Sequence, residues 1–125
     1  MGVVLPGPRL EPRTTMAGSD LFTGTLDLLV LKALVWGPMH GYAINKWIRE
    51  RTNDTLRVNH GALYPALYRL EAKRWLTEEW GVTERGREAK YYSLTPLGRK
   101  QLKLEIERWN SYTRAVNSAL ATTSA

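Results

Sequence analysis

From Leu26 to Val35 the chain is apolar at almost every position: Leu26, Leu28, Leu29, Val30, Leu31, Ala33, Leu34 and Val35, broken only by Asp27 and Lys32. A helix that is apolar nearly all round has to be covered on more than one side. In a small protein that means packing on its own domain and on a second subunit, with Leu28 and Leu31 assigned to the subunit contact. The helix is predicted to start between Asp20 and Thr25 and to end at Trp36, before Gly37-Pro38. A second helix is predicted from His40-Gly41 to Arg51, with Ile44, Trp47 and Ile48 as a narrow core-facing stripe. Thr52-Asn53-Asp54 reads as a turn, and Leu56-Arg57-Val58 as a short extended piece.

A third helix runs from about Gly61 to Arg74, with Leu63, Ala66, Leu67 and Leu70 on one face. Pro65 belongs near a first turn, where a missing N–H costs least, so the start is placed at or just before Ala62. Strands follow at Leu76–Val82 and Ala89–Leu94, joined by a polar, glycine-containing loop from Thr83 to Glu88. Alternation sends one of Tyr91 and Tyr92 into the core and the other outward. Thr95 then caps, and Pro96 opens, a last helix reaching about Ala119. Its residues Leu102, Ile106, Trp109, Thr113, Val116 and Leu120 step by four and three in turn, a coiled-coil seam with Thr113 as its weak position. Leu102, Ile106, Trp109 and Val116 are the expected subunit contacts.

The fold expected is mainly α with a small β-hairpin. It divides into a disordered arm over 1–19, a winged helix-turn-helix domain over 20–95, and a C-terminal dimerisation helix and tail over 96–125. The arm has no apolar stretch of signal-peptide length, and Met16-Ala17 is a candidate translation start within it.

Composition narrows the function classes. The chain has 125 residues, enough for one modest core. It has no cysteine, which removes disulfides, thiolate metal sites and cysteine nucleophiles and fits a reducing, cytoplasmic setting. No apolar run approaches the roughly 18 residues that span a membrane. Eighteen basic and 12 acidic residues give a net charge of +6. Residues 1–36 are neutral, whereas 37–94 and 95–125 carry +3 each, so the excess lies in patterned segments. That favours a polyanionic partner. The chain offers only His40 and His60 as histidines, with no nucleophile–base pair, metal-ligand spacing or phosphate loop. Adjacent carboxylates such as Glu78 and Glu79 point to opposite faces of a strand. Neither an enzyme nor a cofactor is expected.

The third helix carries the most chemistry. Opposite its buried face lie Gly61, Pro65, Tyr68 and Ala72, flanked by Tyr64 and Glu71 on one side and by Ala62, Arg69 and Lys73 on the other. Small residues let a helix approach a groove closely, and Tyr, Arg and Lys reach phosphates or bases. Asn59 and His60 stand at the N-terminal end, which probes bases in this class. The hairpin adds Arg85, Arg87 and Lys90 around Gly86, suited to holding a phosphate. His40, Gly41 and Tyr42 open the second helix, where free N–H groups favour a phosphate. Plainer readings stand beside these: a solvated helix face, a solvated turn, a packing role for Tyr42, and ordinary interface core for Trp109.

Four stretches together resemble the PadR family of bacterial transcriptional regulators: Gly24–Leu31, Gly37–Tyr42, Leu63–Glu71 and Gly86–Thr95. The LYPALYRLE and GREAKYYSLT runs are the most specific, and the resemblance covers about Leu21 to Tyr112. It implies a homodimeric repressor on double-stranded DNA at an inverted-repeat operator. It further implies DNA contacts by Tyr42, by residues around Tyr64, and by Arg87 and Lys90. In some members an aromatic residue at the place of Trp109 lines an intersubunit cavity for aromatic effectors. The chain is similar to the short branch, without the larger C-terminal domain of the phenolic-acid-sensing members. The competing class is a winged-helix protein-interaction module without specific DNA readout.

Overall fold

The computed structural model describes residues 14–16 and 23–123. The elements are β1 (Thr14–Met16), α1 (Thr23–Ala33) continued by a 3-10 turn over Leu34–Trp36, β2 (Met39–His40), α2 (Gly41–Arg51), β3 (Leu56–Val58), α3 (His60–Ala72), β4 (Leu76–Val82), β5 (Glu88–Leu94) and α4 (Pro96–Ala121). The last three helices each begin on a side chain that accepts the third N–H of the first turn. His40 Nδ1 takes Ala43 N–H at 3.2 Å, Asn59 Oδ1 takes Ala62 N–H at 2.9 Å, and Thr95 Oγ1 takes Gly98 N–H at 2.9 Å. Such caps satisfy donors the helix itself leaves orphaned. The cap on Asn59 explains why α3 starts at His60 rather than near Ala62. Pro65 is then the sixth residue, on the solvent side, and its missing N–H leaves only the exposed Gly61 carbonyl without its helical donor.

Leu26, Val30, Leu31 and Leu34 from α1 and its 3-10 turn, Ile44 and Ile48 from α2, and Leu63, Leu67 and Leu70 from α3 make the core, closed by Leu76 and Tyr92 from the hairpin. Two expected subunit contacts are corrected here. Leu31 is 0% exposed and Leu102 5%, both inside this chain's own core, so neither side chain is open to a partner. Leu28 and Ile106 are only partly buried against that core. Alternation in β5 holds: Tyr92 is in the core, while the Tyr91 hydroxyl reaches the Val82 carbonyl at 3.3 Å. Burial raises the Tyr92 phenol above its ordinary pKa.

The sheet has a strand that the sequence pattern does not announce. β2 pairs antiparallel with β5, Met39 opposite Tyr92 and His40 opposite Tyr91, giving the order β2-β5-β4. Thr14–Met16, read from sequence as part of a disordered arm, pairs parallel with Leu56–Val58. The rest of the 1–19 arm lies outside the described residues. Between α2 and β3, Asn53 and Asp54 turn the chain with φ of 53° and 63°, which short polar side chains tolerate.

α3 ends in a Schellman arrangement. Trp75 N–H reaches back to the Leu70 carbonyl at 3.0 Å and Arg74 N–H to the Glu71 carbonyl at 2.9 Å. Arg74 occupies the left-handed position that glycine usually fills, with φ 65°. Arg74→Gly is therefore expected to stabilise the protein by about 0.5–1 kcal/mol, less the entropy glycine adds to the unfolded chain. A urea midpoint at or below that of the wild type would contradict this reading.

Candidate nucleic-acid interface

The outward face of α3 consists of Gly61, Pro65, Tyr68 and Ala72, all exposed, with Tyr68 open to 75%. Ala62, read from sequence as flanking this face, is corrected: it is 0% exposed and packs with Leu63 and Ala66 in the core, so it cannot touch a ligand. Tyr64 lies across the start of α2. A Cβ on Gly41 would come within 2.5 Å of the Tyr64 hydroxyl, so glycine is what lets the ring approach. The His60 ring stands 5.8 Å from that of Tyr64. The His40 ring sits edge-on to Tyr91 at 5.3 Å and stacks at 6.4 Å from Tyr42, itself 69% exposed. The start of α2, the start of α3 and β5 thus meet in one polar, aromatic surface.

The hairpin tip is fixed by its backbone. Gly86 N–H donates to the Thr83 carbonyl at 2.8 Å, Thr83 N–H to the Arg87 carbonyl at 2.8 Å, and Arg87 N–H to Thr83 Oγ1 at 3.1 Å. Gly86 has φ 79°, a left-handed conformation that favours glycine. Arg85 and Arg87 project from this turn, exposed and without an ion-pair partner among the described residues.

The other cations named from sequence are engaged. The Arg69 guanidinium donates to Asp27 Oδ1 at 2.6 Å, tying α3 to α1. Lys73 lies over the Trp75 ring at 4.6 Å. Lys90 Nζ meets Glu78 Oε1 at 2.9 Å and stands 5.7 Å from the Trp80 ring centre. Arg69 is an inter-helix tether in this arrangement, and Lys90 would have to leave Glu78 to hold a phosphate. Asn59 spends its side-chain oxygen on the cap, leaving its amide N–H groups for a ligand.

Glu78 also stands against the Glu71 carboxyl of α3. Burial, then the hydrogen bond that Glu71 donates to Glu78 and the charge of Glu78, hold the Glu71 carboxyl above its ordinary pKa. The Glu71 hydrogen bond and then Lys90 hold Glu78 below it. Lys90 is raised in turn, chiefly by Glu78. The raised Glu71 stabilises the fold only while protonated, fully so below the unfolded carboxyl pKa, and that contribution is lost as pH climbs through its native value. Glu78 behaves oppositely, its contribution disappearing as pH falls through its lowered native value. Glu71→Gln keeps a donor toward Glu78 at every pH. Its melting temperature is expected to exceed the wild type's at pH 7, and the gap should close below the ordinary carboxylate range. A gap that is constant across pH would contradict the raised pKa of Glu71.

Sequence reading passed over a second group of cations. Between α2 and β3 lies an open cleft of about 290 Å³ whose lining includes Tyr42, Lys46, Arg49, Arg57 and His60. The signal was available: positions 42, 46 and 49 share a helix face at spacings of four and three.

The family described as "Transcriptional regulator PadR-like family" matches residues 30–104. An uncharacterized protein of Lysinibacillus sphaericus is 32% identical over 94 residues, covering 75% of this chain and 86% of that one. An uncharacterized 37.1 kDa protein in a Streptomyces fradiae transposon is 43% identical over 83 residues, 66% of this chain, which corresponds to only 22% of that protein's length. A solved transcriptional regulator from Clostridium thermocellum is 31% identical, with a TM-score of 0.72 over 80% of this chain and 97% of the other. A PadR family regulator from Clostridium difficile is 28% identical, with a TM-score of 0.66 over 77% of this chain and 98% of that one. No helix among the described residues is long and apolar enough to cross a membrane. The matched segment runs from the middle of α1 through the winged domain into α4, and the chain belongs to the PadR-like family of transcriptional regulators.

Proposed function

We propose that the protein is a homodimeric cytoplasmic repressor that grips an inverted-repeat operator and is released by a small planar effector. The observation that carries the reading is a small, exposed face on α3 in a domain whose stiff hairpin tip presents two exposed arginines without an ion-pair partner among the described residues. A helix with Gly61, Pro65 and Ala72 outward can enter a major groove closely. His60, Tyr68 and the amide of Asn59 stand where base edges would be read. Arg85 and Arg87 reach the adjacent backbone, and Tyr42 and Tyr64 supply hydroxyl donors beside it.

Arg87→Ala is expected to weaken binding on all duplexes alike and to flatten the log–log salt dependence by about 0.9 for the phosphate contact it removes. His60→Ala and Tyr68→Ala should instead alter which sequences are preferred. Footprinting across inverted repeats near the chain's own promoter is the direct test. Affinity that is insensitive to salt, or no protected site, would overturn the proposal in favour of a protein-interaction module. The effector would sit beside Trp109, whose ring is 39% exposed and lies 6.2 Å from Tyr112. A tryptophan-fluorescence ligand screen tests this, because quenching that survives Trp109→Ala would remove the site.

A further inference from the structure

The cleft between α2 and β3 is built more firmly than an incidental surface hollow. The Asn45 amide nitrogen donates to the Val58 carbonyl at 2.8 Å, which fixes the spacing of its two walls, and Val58 is 4% exposed. Lys46 and Arg57 are exposed on opposite walls, and His60 and Tyr42 face the same space. The cleft therefore opens at the first residue of α3, beside the face assigned to base reading and at the opposite end of α3 from the turn leading into the hairpin.

Among the described residues, one acidic group forms ion pairs with the arginines of this cleft. Asp54 Oδ2 meets the Arg57 guanidinium at 3.0 Å, and Asp54 Oδ1 stands 3.9 Å from Arg49 Nε. The three side chains are about half exposed, at 41–49%. A carboxylate placed so that it orients two guanidinium groups does what a bound phosphate would do, and it competes for the same donors.

We propose that this cleft seats one backbone phosphate of duplex DNA, held chiefly by Lys46 and Arg57 with the Tyr42 hydroxyl, and that Asp54 limits how tightly it is held. The proposal rests on the DNA-binding reading above and adds a second grip to that of the wing. With Arg87 on the hairpin tip and Lys46 and Arg57 beside the first residue of α3, the domain would hold the duplex backbone at two separate places. The anion is assigned to the duplex backbone because the cleft adjoins His60 at the start of α3.

Phosphate contacts are independent of sequence, so a fluorescein-labelled duplex of arbitrary sequence serves as probe, titrated by polarisation at several salt concentrations. The Lys46→Ala/Arg57→Ala double variant is expected to bind about tenfold more weakly at low salt. Its salt slope should fall by about 0.9, so a fourfold rise in salt costs it roughly 3.5-fold less affinity than it costs the wild type. Asp54→Asn keeps a side chain suited to φ 63° and is expected to bind roughly threefold tighter, whereas Glu107→Gln, the same charge change on α4, should not. Circular-dichroism melts check that each variant is folded. If the wild type binds DNA and the double variant keeps both affinity and slope, the seat is overturned while the DNA-binding reading stands. If the wild type binds no duplex, both fall. If inorganic phosphate saturates the cleft, followed by the His60 imidazole NMR signals, while the variants leave DNA affinity unchanged, the cleft is a free-anion site and the proposal fails.

Discussion

Gly98→Ala is expected to cost about 3 kcal/mol, the upper end of what overpacking does. A Cβ on Gly98 would run into the backbone carbonyl of Trp75, and a backbone atom cannot swing aside as a side chain does. Both strands of chain are pinned at that point. Thr95 N–H donates to the Trp75 carbonyl at 3.0 Å, and the Thr95 hydroxyl donates to the Arg74 carbonyl at 2.7 Å while accepting from Gly98 N–H. Relief of the clash would have to break this junction between the end of α3, the base of β4 and the start of α4. A urea midpoint within error of the wild type would show that the junction yields. Gly41→Ala provides the contrast: the added Cβ meets the far end of the Tyr64 ring, which can rotate, so the loss of stability should be smaller.

Replacing Trp109 and Val116 together by Asp is expected to leave a folded monomer that binds DNA about 100-fold more weakly, the lower range of what linking two sites contributes. From residue 107 to the end of α4 every side chain is exposed except half-buried Thr113. That stretch carries Trp109, Tyr112, Val116 and Leu120, a stripe of apolar residues with nothing among the described residues packed over it. A projecting helix of this length is marginal in water unless its apolar face is packed. Thr113 returns its hydroxyl to the Trp109 carbonyl at 2.9 Å, so it adds little to the stripe. A second copy would offer the same stripe and close a two-fold pair. Sedimentation of the variant gives its mass, and a dimeric mass would sink the assignment of this seam.

Helix boundaries were legible because they are set by local chemistry. Thr95-Pro96 marked the start of α4 correctly, and His40 marked that of α2. α3 begins at His60, one residue before the Gly61 that the pattern suggests, because the cap on Asn59 and not Pro65 sets its start. β2 is too short for any period to register, and it exists only because β5 offers an edge beside it. On the candidate interface, sequence placed Tyr64, Tyr68 and Arg87 on exposed positions, which follows from helical and hairpin geometry alone. It could not place Ala62, because one residue of rotation at the helix start separates a groove-facing alanine from a core one. Nor could it show that Arg69 and Lys90 are held by Asp27 and Glu78, partners 42 and 12 positions away in the chain. The burial of Leu31 and Leu102 has the same origin: a seam drawn on one helix does not say which of its turns the home domain already occupies.

The hydrogen-bonded junction at Thr95 makes α4 a rigid arm bolted to the foot of the hairpin. From Gly98 to Trp109 that arm is about 16 Å long at 1.5 Å per residue. In a pair of copies joined beyond Trp109, a small change in the angle at which the two arms cross is carried, undamped by any flexible linker, to the distance between the two reading helices. Duplex DNA accepts such helices only at separations near one helical turn, about 34 Å, or its multiples. In the proposed dimer the angle at the seam would work as a ruler setting, and a molecule wedged there would not need to come near the DNA to spoil the measurement.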